Sequence, residues 1–274
     1  MLHQLEYDYY RPANLAELAG ILKKRPGQKP FWLAGGSDLW VDLRKGKKTA
    51  NLVIDLKRLP GLTEIREIPA AAAAEEWGPA GLKLNGKAVL SIGALTTIHR
   101  LETDPLILQQ APALAKAASC LGSLQVRNRA TLGGNLANGA PTADTAAPML
   151  ALDALLHIWG PAGERIVPAD QFWTGPAKSC LKDEEILLEI LLPCRGGSSA
   201  YLKQGPRQAM DIGILSAAVY LRVEKGLTAE ASIALGGAAS VPLSCPLAAE
   251  SLHGRPAEAE AFARAGQLAA AAAN

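Results

Sequence analysis

Apolar positions along this chain recur in two rhythms, and the switches between them mark its elements. Leu15, Leu18 and Leu22 fall at helical spacing. Asn14 stands where an N-cap belongs, with Glu17 three residues on, and the stripe ends in Lys23-Lys24-Arg25 before Pro26-Gly27. Phe31-Trp32-Leu33-Ala34 then reads as a short buried strand that breaks at Gly35-Gly36-Ser37. Leu52 to Leu56 reads as a second strand, ahead of a turn at Pro60-Gly61. Residues 62–94 read as β, with Leu62 to Ile65, Leu82, Leu84, Val89 and Ile92 on strands. The stretch from Ala70 to Ala74 and on through Trp77-Gly78-Pro79 reads as a surface loop. Ile98 to Glu102 and Pro112 to Leu121 read as helices, the second with an Ala-rich packing face. A glycine-rich turn at Thr131 to Asn135 follows, then a helix from Asp144 towards Leu155 and a strand at Leu156 to Trp159.

From about residue 178 the pattern changes. Glu185 to Leu192 and Ala200 to Lys203 read as strands, Ile214 to Val223 as either strand or helix, and Thr228 to Leu235 alternates as a strand does before Gly236-Gly237. Pro256 to Asn274 is Ala-rich and helical. No fixed-period repeat is present. The mixture predicts an α+β chain in three pieces: a small unit over residues 1–57, a larger one over 58–176, and a C-terminal α+β domain over 177–274.

Composition narrows the function classes. The 274 residues are 49% apolar and 20% charged, with a formal net charge of +2. These values exclude a disordered, collagenous or strongly basic nucleic-acid-binding chain. Aromatics are 5%, too few for a base-stacking platform of the single-strand-binding type. No apolar run reaches the roughly 18 residues of a membrane span, and the start, Met1 to Pro12, lacks the pattern of a signal peptide. A cytoplasmic location is the expectation. The cysteines, Cys120, Cys180, Cys194 and Cys245, form no CxxC pair and have no histidine at ligand spacing. Neither a zinc site nor an iron–sulfur cluster is expected on this chain.

The candidate chemistry lies in two glycine doublets. One is Leu33-Ala34-Gly35-Gly36-Ser37-Asp38-Leu39, directly after a strand. The other is Thr131-Leu132-Gly133-Gly134-Asn135, followed by Pro141-Thr142-Ala143-Asp144. Glycine permits positive φ and close approach of backbone N–H groups to a ligand. Consecutive N–H groups in such turns form a nest for an anion such as a pyrophosphate. Neutral amides do this without a basic patch, in keeping with the small net charge. Neither doublet matches the GxGxxG or GxxxxGK[ST] pattern. Gly236-Gly237 lacks polar company and reads as a plain turn. Each residue also has a structural reading: Asp144 as a helix N-cap, Leu121, Ile186 and Leu187 as core, Lys203 as a solvated charge. Arg127 and Arg129 suit a solvated face or a partner contact. The histidines are scattered, without a Ser or Cys partner for a triad.

Taken with its context, Gln125-Val126-Arg127-Asn128-Arg129-Ala130-Thr131-Leu132-Gly133-Gly134-Asn135, ending in Pro141-xx-Asp144, resembles the signature of the FAD-binding subunits of molybdenum hydroxylases. That family includes xanthine dehydrogenases, aerobic carbon monoxide dehydrogenases and aromatic acyl-CoA reductases. The resemblance extends over nearly the whole chain, through Tyr9 to Glu17, Ala34-Gly35-Gly36, Ile92 to Thr97, Asp183 to Leu187, Ala209 to Ile212 and Ile233 to Gly237.

The resemblance implies a two-subdomain FAD-binding fold of the PCMH/VAO type with a C-terminal α+β domain. FAD would lie extended between the first two pieces. Leu33, Ala34, Gly35, Gly36, Ser37, Asp38 and Leu39 would wrap its pyrophosphate. Thr131, Leu132, Gly133, Gly134 and Asn135 would form the second wall, with Thr131 and Asn135 as polar contacts. Asp144 would accept hydrogen bonds from the ribose or adenine end. Leu121 stands where relatives carry an aromatic near the flavin or adenine, while Ile186, Leu187 and Lys203 would reach the cofactor from the C-terminal piece. The resemblance further implies a molybdenum-cofactor large subunit and a [2Fe-2S] small subunit as partners, and NAD or another electron acceptor. Ala70 to Lys87 lacks the cysteines of the branch with a cluster-bearing loop, and a purine-type dehydrogenase is favoured among substrates. A stand-alone FAD oxidoreductase and an FAD-free scaffold are the other readings. The first would need its own substrate base or a covalent flavin link, for which neither loop offers a His or Cys. The second would show broken glycine loops, and these are intact.

Overall fold

The computed structural model describes residues 6–78, 87–207 and 210–273. The first unit contains β1 (Asp8–Tyr10), α1 (Leu15–Lys23), β2 (Phe31–Leu33), α2 (Leu39–Arg44) and β3 (Leu52–Asp55). Its strands form a parallel sheet in the order β1-β3-β2. The predicted start of α1 is present: Asn14 Oδ1 accepts from Glu17 N at 2.8 Å, and Glu17 reaches back to Ala13 N at 2.7 Å. Leu18 and Leu22 bury the inner face of α1 against Leu52 and Ile54 of β3.

The second unit contains β4 (Ile65–Ile68), α3 (Ala70–Trp77), β5 (Val89–Gly93), α4 (Ile98–Thr103), α5 (Pro105–Gln110), α6 (Pro112–Cys120), α7 (Leu124–Arg127), α8 (Leu132–Asn138), α9 (Ala146–Ala151), β6 (Leu155–Gly160), β7 (Gly163–Pro168), β8 (Trp173–Gly175), β9 (Lys178–Ser179) and β10 (Ile186–Pro193). Its antiparallel sheet has the order β4-β5-β10-β6-β7. The segment assigned by pattern to the C-terminal piece, Glu185 to Leu192, is therefore the central strand here. It pairs Ile190 with both Ile92 and Leu156. Ile190, Leu191 and Leu192 are all buried, and a strand covered on both faces reads as an unbroken apolar run whichever sheet it joins.

The third unit contains β11 (Ser198–Gln204), β12 (Leu215–Glu224), β13 (Leu227–Gly236), β14 (Leu243–Ser244), α10 (Pro246–Glu250) and α11 (Ala259–Ala272). Its antiparallel sheet, β11-β12-β13-β14, settles the ambiguous stretch after Ile214 as a strand. Tyr201, Ala218 and Tyr220 face the main core, where they join Ala113, Ala117 and Ala147 of α6 and α9. On the opposite face, Leu235 and Cys245 pack under Ala248 of α10 and Ala269 of α11.

Two other local expectations are corrected. Ala70 to Ala74 is not a surface loop but the body of α3. Alanine is the best helix former, and the helix drives Ala73 and Trp77 into a cluster with Ile68, Val89 and Leu191. Leu82 and Leu84, expected on strands, lie outside the described residues. Thr131 to Asn135 is not a free turn but the cap and first turn of α8, with Thr131 Oγ1 accepting from Gly134 N at 3.2 Å.

Among the described residues, no helix is long and apolar enough to cross a membrane, and no group of three or more His, Cys, Asp and Glu side chains is placed to hold a metal.

Candidate functional site

Between the first and second units lies a cleft with a volume of 450 Å³. Its lining includes Lys29, Trp32, Gly35 to Leu39, Leu121, Val126, Gly133 to Asn135 and Ile186. Gly35 and Gly133 bring its walls close together. A Cβ on Gly35 would stand 1.9 Å from the carbonyl oxygen of Arg129, and one on Gly133 would stand 2.7 Å from the Cβ of Ala94. Gly36 has φ +77° and lies under the Trp40 indole. Only glycine suits that combination without strain.

The two glycine loops differ in what they offer. In the second, every early amide is engaged: Leu132 N donates to Thr96 O at 3.0 Å, Gly133 N to Ala94 O at 2.8 Å, Gly134 N to Thr131 Oγ1, and Asn135 N to Thr131 O at 2.9 Å. This loop is a thin backbone wall rather than a set of amide donors, which corrects the reading of its glycine doublet as an anion nest. The first loop is the reverse. Among the described residues, no hydrogen bond engages the N–H groups of Gly35, Gly36, Ser37, Asp38 or Leu39. Amides that lead into a helix start have no intrahelical partner, and five in succession beside a cleft fit an anion with several acceptor oxygens, such as a pyrophosphate.

The loop is held from behind by residues that sequence reasoning did not single out. Lys57 Nζ donates to the carbonyl of Ala34 at 3.2 Å and pairs with Asp55 Oδ1 at 2.8 Å. Tyr9 donates to Asp55 Oδ2 at 2.6 Å. Burial would raise the Asp55 pKa, but Lys57 and Tyr9 hold it below the ordinary carboxylate range. The signal available in the sequence was an acid at the end of an apolar strand, two residues before a lysine.

Most of the expected site residues meet in the cleft. Ala34, Gly35, Gly36, Ser37, Asp38, Leu39, Leu121, Thr131, Gly133, Gly134, Asn135, Ile186 and Leu187 line it. Four do not. Leu33 faces Leu43 and Val53 inside the first unit, and Leu132 is fully buried in the main core. Asp144 and Lys203 pair with each other behind the cleft, Nζ to Oδ2 at 2.9 Å, with Tyr201 donating to Asp144 Oδ1 at 2.8 Å. Asp144 caps no helix, because α9 starts after Thr145. Burial raises its pKa, against the opposing pull of Lys203 and Tyr201, and burial likewise raises the Tyr201 phenol. Lys203 is no solvated charge. It also donates to the carbonyls of Cys120 at 3.2 Å and Asp211 at 2.8 Å, which links the C-terminal sheet to the cleft-lining corner at Leu121. Arg127 is similarly committed, to Glu102 at 2.9 Å and to the carbonyls of Leu121 and Gly122.

Asn135 Oδ1 accepts from Thr145 at 2.6 Å, which fixes its amide at the wall. Trp32, Lys29, Leu95, Val126 and Glu185 also line the cleft and were not foreseen as site residues. Trp32 stood in the strand that leads to the first loop, and its apolar neighbours concealed it.

Fold and cleft together define a protein whose first two units enclose a cleft suited to an anionic ligand, with a third unit packed against them. Comparison with known families gives the same answer in finer detail. Residues 5–73 and 81–195 match the model for the FAD binding domain in molybdopterin dehydrogenase, and residues 200–274 match the CO dehydrogenase flavoprotein C-terminal domain. The chain is 35% identical over 251 residues to the putative xanthine dehydrogenase FAD-binding subunit XdhB of Escherichia coli (strain K12), covering 90% of this chain and 80% of that one. It is 31% identical over 239 residues to the carbon monoxide dehydrogenase medium chain of Hydrogenophaga pseudoflava, covering 86% and 76%. A solved carbon monoxide dehydrogenase from the same organism superposes with a TM-score of 0.84 at 29% identity, over 98% of this chain and 88% of that one. The chain belongs to the family of FAD-binding flavoprotein subunits of molybdenum hydroxylases, and its cofactor is FAD.

Proposed function

We propose that this chain is the flavoprotein subunit of a molybdenum hydroxylase of the xanthine dehydrogenase type. It would work with a large subunit carrying the molybdenum cofactor and a small subunit carrying two [2Fe-2S] clusters, and pass electrons to an acceptor such as NAD. The observation that carries the reading is the row of five amides from Gly35 to Leu39, unpartnered among the described residues and set opposite the glycine wall of α8. When bound, FAD supplies the redox chemistry that joins one-electron clusters to a two-electron acceptor.

The chain's own residues bind and orient. The Gly35 to Leu39 amides hold the pyrophosphate, with Ser37 adding a hydroxyl. Gly133 and Gly134 let the backbone of α8 approach from the other side. Leu95, Leu121, Ile186 and Leu187 exclude water along the cleft. Asp144 and Lys203 act from behind, by locking the C-terminal domain to the corner at Leu121. The division we propose is a first FAD-binding subdomain over residues 1–57, a second over 58–176 with β10 added to its sheet, and a C-terminal domain. A purine-type substrate, read by the large subunit, is favoured by the 35% identity to the xanthine dehydrogenase subunit.

The test is a visible absorption spectrum of the purified chain, alone and co-expressed with its partner subunits. Flavin bands, release of FAD on denaturation, and loss of both in Gly134→Val support the reading. A chain that takes up no FAD even when assembled overturns it. For the acceptor, the substrate-reduced complex is mixed with NAD. Failure to reoxidise removes NAD from the proposal while leaving the FAD site standing.

A further inference from the structure

The two ends of the cleft differ in chemistry. The end that Lys203 of the C-terminal sheet ties down through the Cys120 carbonyl carries aliphatic Leu121, with Val126 also in the lining, whereas the lining aromatics are Phe31 and Trp32, and Trp32 is tied to the segment before β10. Strand alternation separates those two side chains. Phe31 turns into the first unit with Leu43 and Val53. Trp32 turns towards Leu95, Trp159 and Ile186, where the two units meet, and is half-buried. Its indole N–H donates to the carbonyl of Asp183 at 3.2 Å, and Lys29 pairs with the Asp183 carboxylate at 2.6 Å. The segment before β10 thus clasps this end of the cleft, and the indole cannot swing away without losing its hydrogen bond.

We propose that Trp32 is the stacking platform for the adenine ring of FAD. The inference rests on the FAD reading above. A pyrophosphate held at Gly35 to Leu39 leaves one ring system on each side. The redox-active ring must be reachable by donor and acceptor, whereas the adenine need only be held. The clasped, aromatic end suits the adenine, and the aliphatic end beside the C-terminal domain suits the isoalloxazine. A flat indole fixed by its own N–H offers a π-face to a purine at little entropic cost.

The test uses the full chain with its FAD removed, with ADP and FAD as probes, read by tryptophan emission and by equilibrium binding. ADP carries the adenine and pyrophosphate and no flavin. It should change the emission of the wild-type chain and compete with FAD. Trp32→Leu should lose most of that change and bind both ligands about tenfold more weakly, in line with the worth of a base–aromatic stack. Trp32→Phe should restore most of the binding, and a circular dichroism spectrum like the wild type's establishes that the leucine variant is folded. Equal ADP binding by wild type and Trp32→Leu overturns the proposal. So does a variant that weakens FAD but leaves ADP unchanged, because that result places the isoalloxazine at Trp32. A wild-type chain that binds neither ligand overturns the FAD reading itself.

Discussion

Replacing Gly35 by alanine isolates the contact on which the cleft depends. The new methyl would stand 1.9 Å from the Arg129 carbonyl oxygen and 2.7 Å from its carbon. Real contacts of this kind begin near 3.0 Å, so the two walls must part by about 1.1 Å. Both neighbours are backbone, so no rotamer change relieves the overlap. Overpacking of this kind costs about 1–3 kcal/mol, and parting the walls also moves the free amides away from the pyrophosphate they are set to hold. FAD affinity should fall by at least about tenfold, the equivalent of ~1.4 kcal/mol. Thermal melts with and without FAD, alongside a flavin titration, separate the two effects. Gly20→Ala is the control: Gly20 lies inside α1 with nothing within 4 Å of an added Cβ, and alanine there should stabilise by about 0.5–1 kcal/mol. A Gly35→Ala chain that melts like the wild type and binds FAD equally well would refute the close contact between Gly35 and Arg129, and with it the geometry of the site.

Charges around the cleft and the five-stranded sheet are open to the same kind of test. Lys57→Ala should release the Ala34 carbonyl and weaken FAD binding by roughly fivefold, the worth of one hydrogen bond of ~1 kcal/mol; an unchanged FAD dissociation rate would show that Lys57 does not steady the loop. Asp144→Ala leaves Lys203 buried without its carboxylate, at a cost of about 3–5 kcal/mol. Chemical denaturation should find the double variant with Lys203→Met closer to wild type than Asp144→Ala is, and strict additivity of the two changes would contradict the pairing. His157 is buried between Glu189 and Glu164, each at 2.9 Å. Burial favours its neutral form, but the two carboxylates outweigh it and raise its pKa. Its contribution should be complete below the unfolded value of about 6.5 and lost as pH rises through the folded one. Glu189 behaves oppositely. Burial would raise its pKa, but His157, Ser91 and Trp77 lower it, so its contribution should be lost as pH falls through its folded value, below the unfolded value of about 4.3. Melts across the pH range should therefore decline from pH 6 to 9 in the wild type and much less in His157→Gln; identical slopes would remove the ion pairs from the account.

Much of the site was legible because its signals are local. The positive φ of Gly36, a loop that follows a strand, and an Asn14 cap with its Glu17 partner depend on residues a few positions apart. Short-range sterics and hydrogen bonding dictate them before any tertiary contact forms. The same holds for the alternation that made β13 a strand and for the helical stripe of α1. What the tertiary structure decided were partnerships across the chain. The apolar run of β10 suits any buried strand, and only the close-packed sheet places it between β5 and β6. Asp144 followed by a helix reads as a cap, but a lysine 59 positions later claims its carboxylate, because a buried charge needs a partner more than a short helix needs a cap. The amides of the two glycine loops look alike in sequence. Those of α8 are taken up by Thr96, Ala94 and Thr131, while among the described residues those after β2 have no partner, and that difference exists only once the second unit has folded Ala94 and Thr96 against the start of α8.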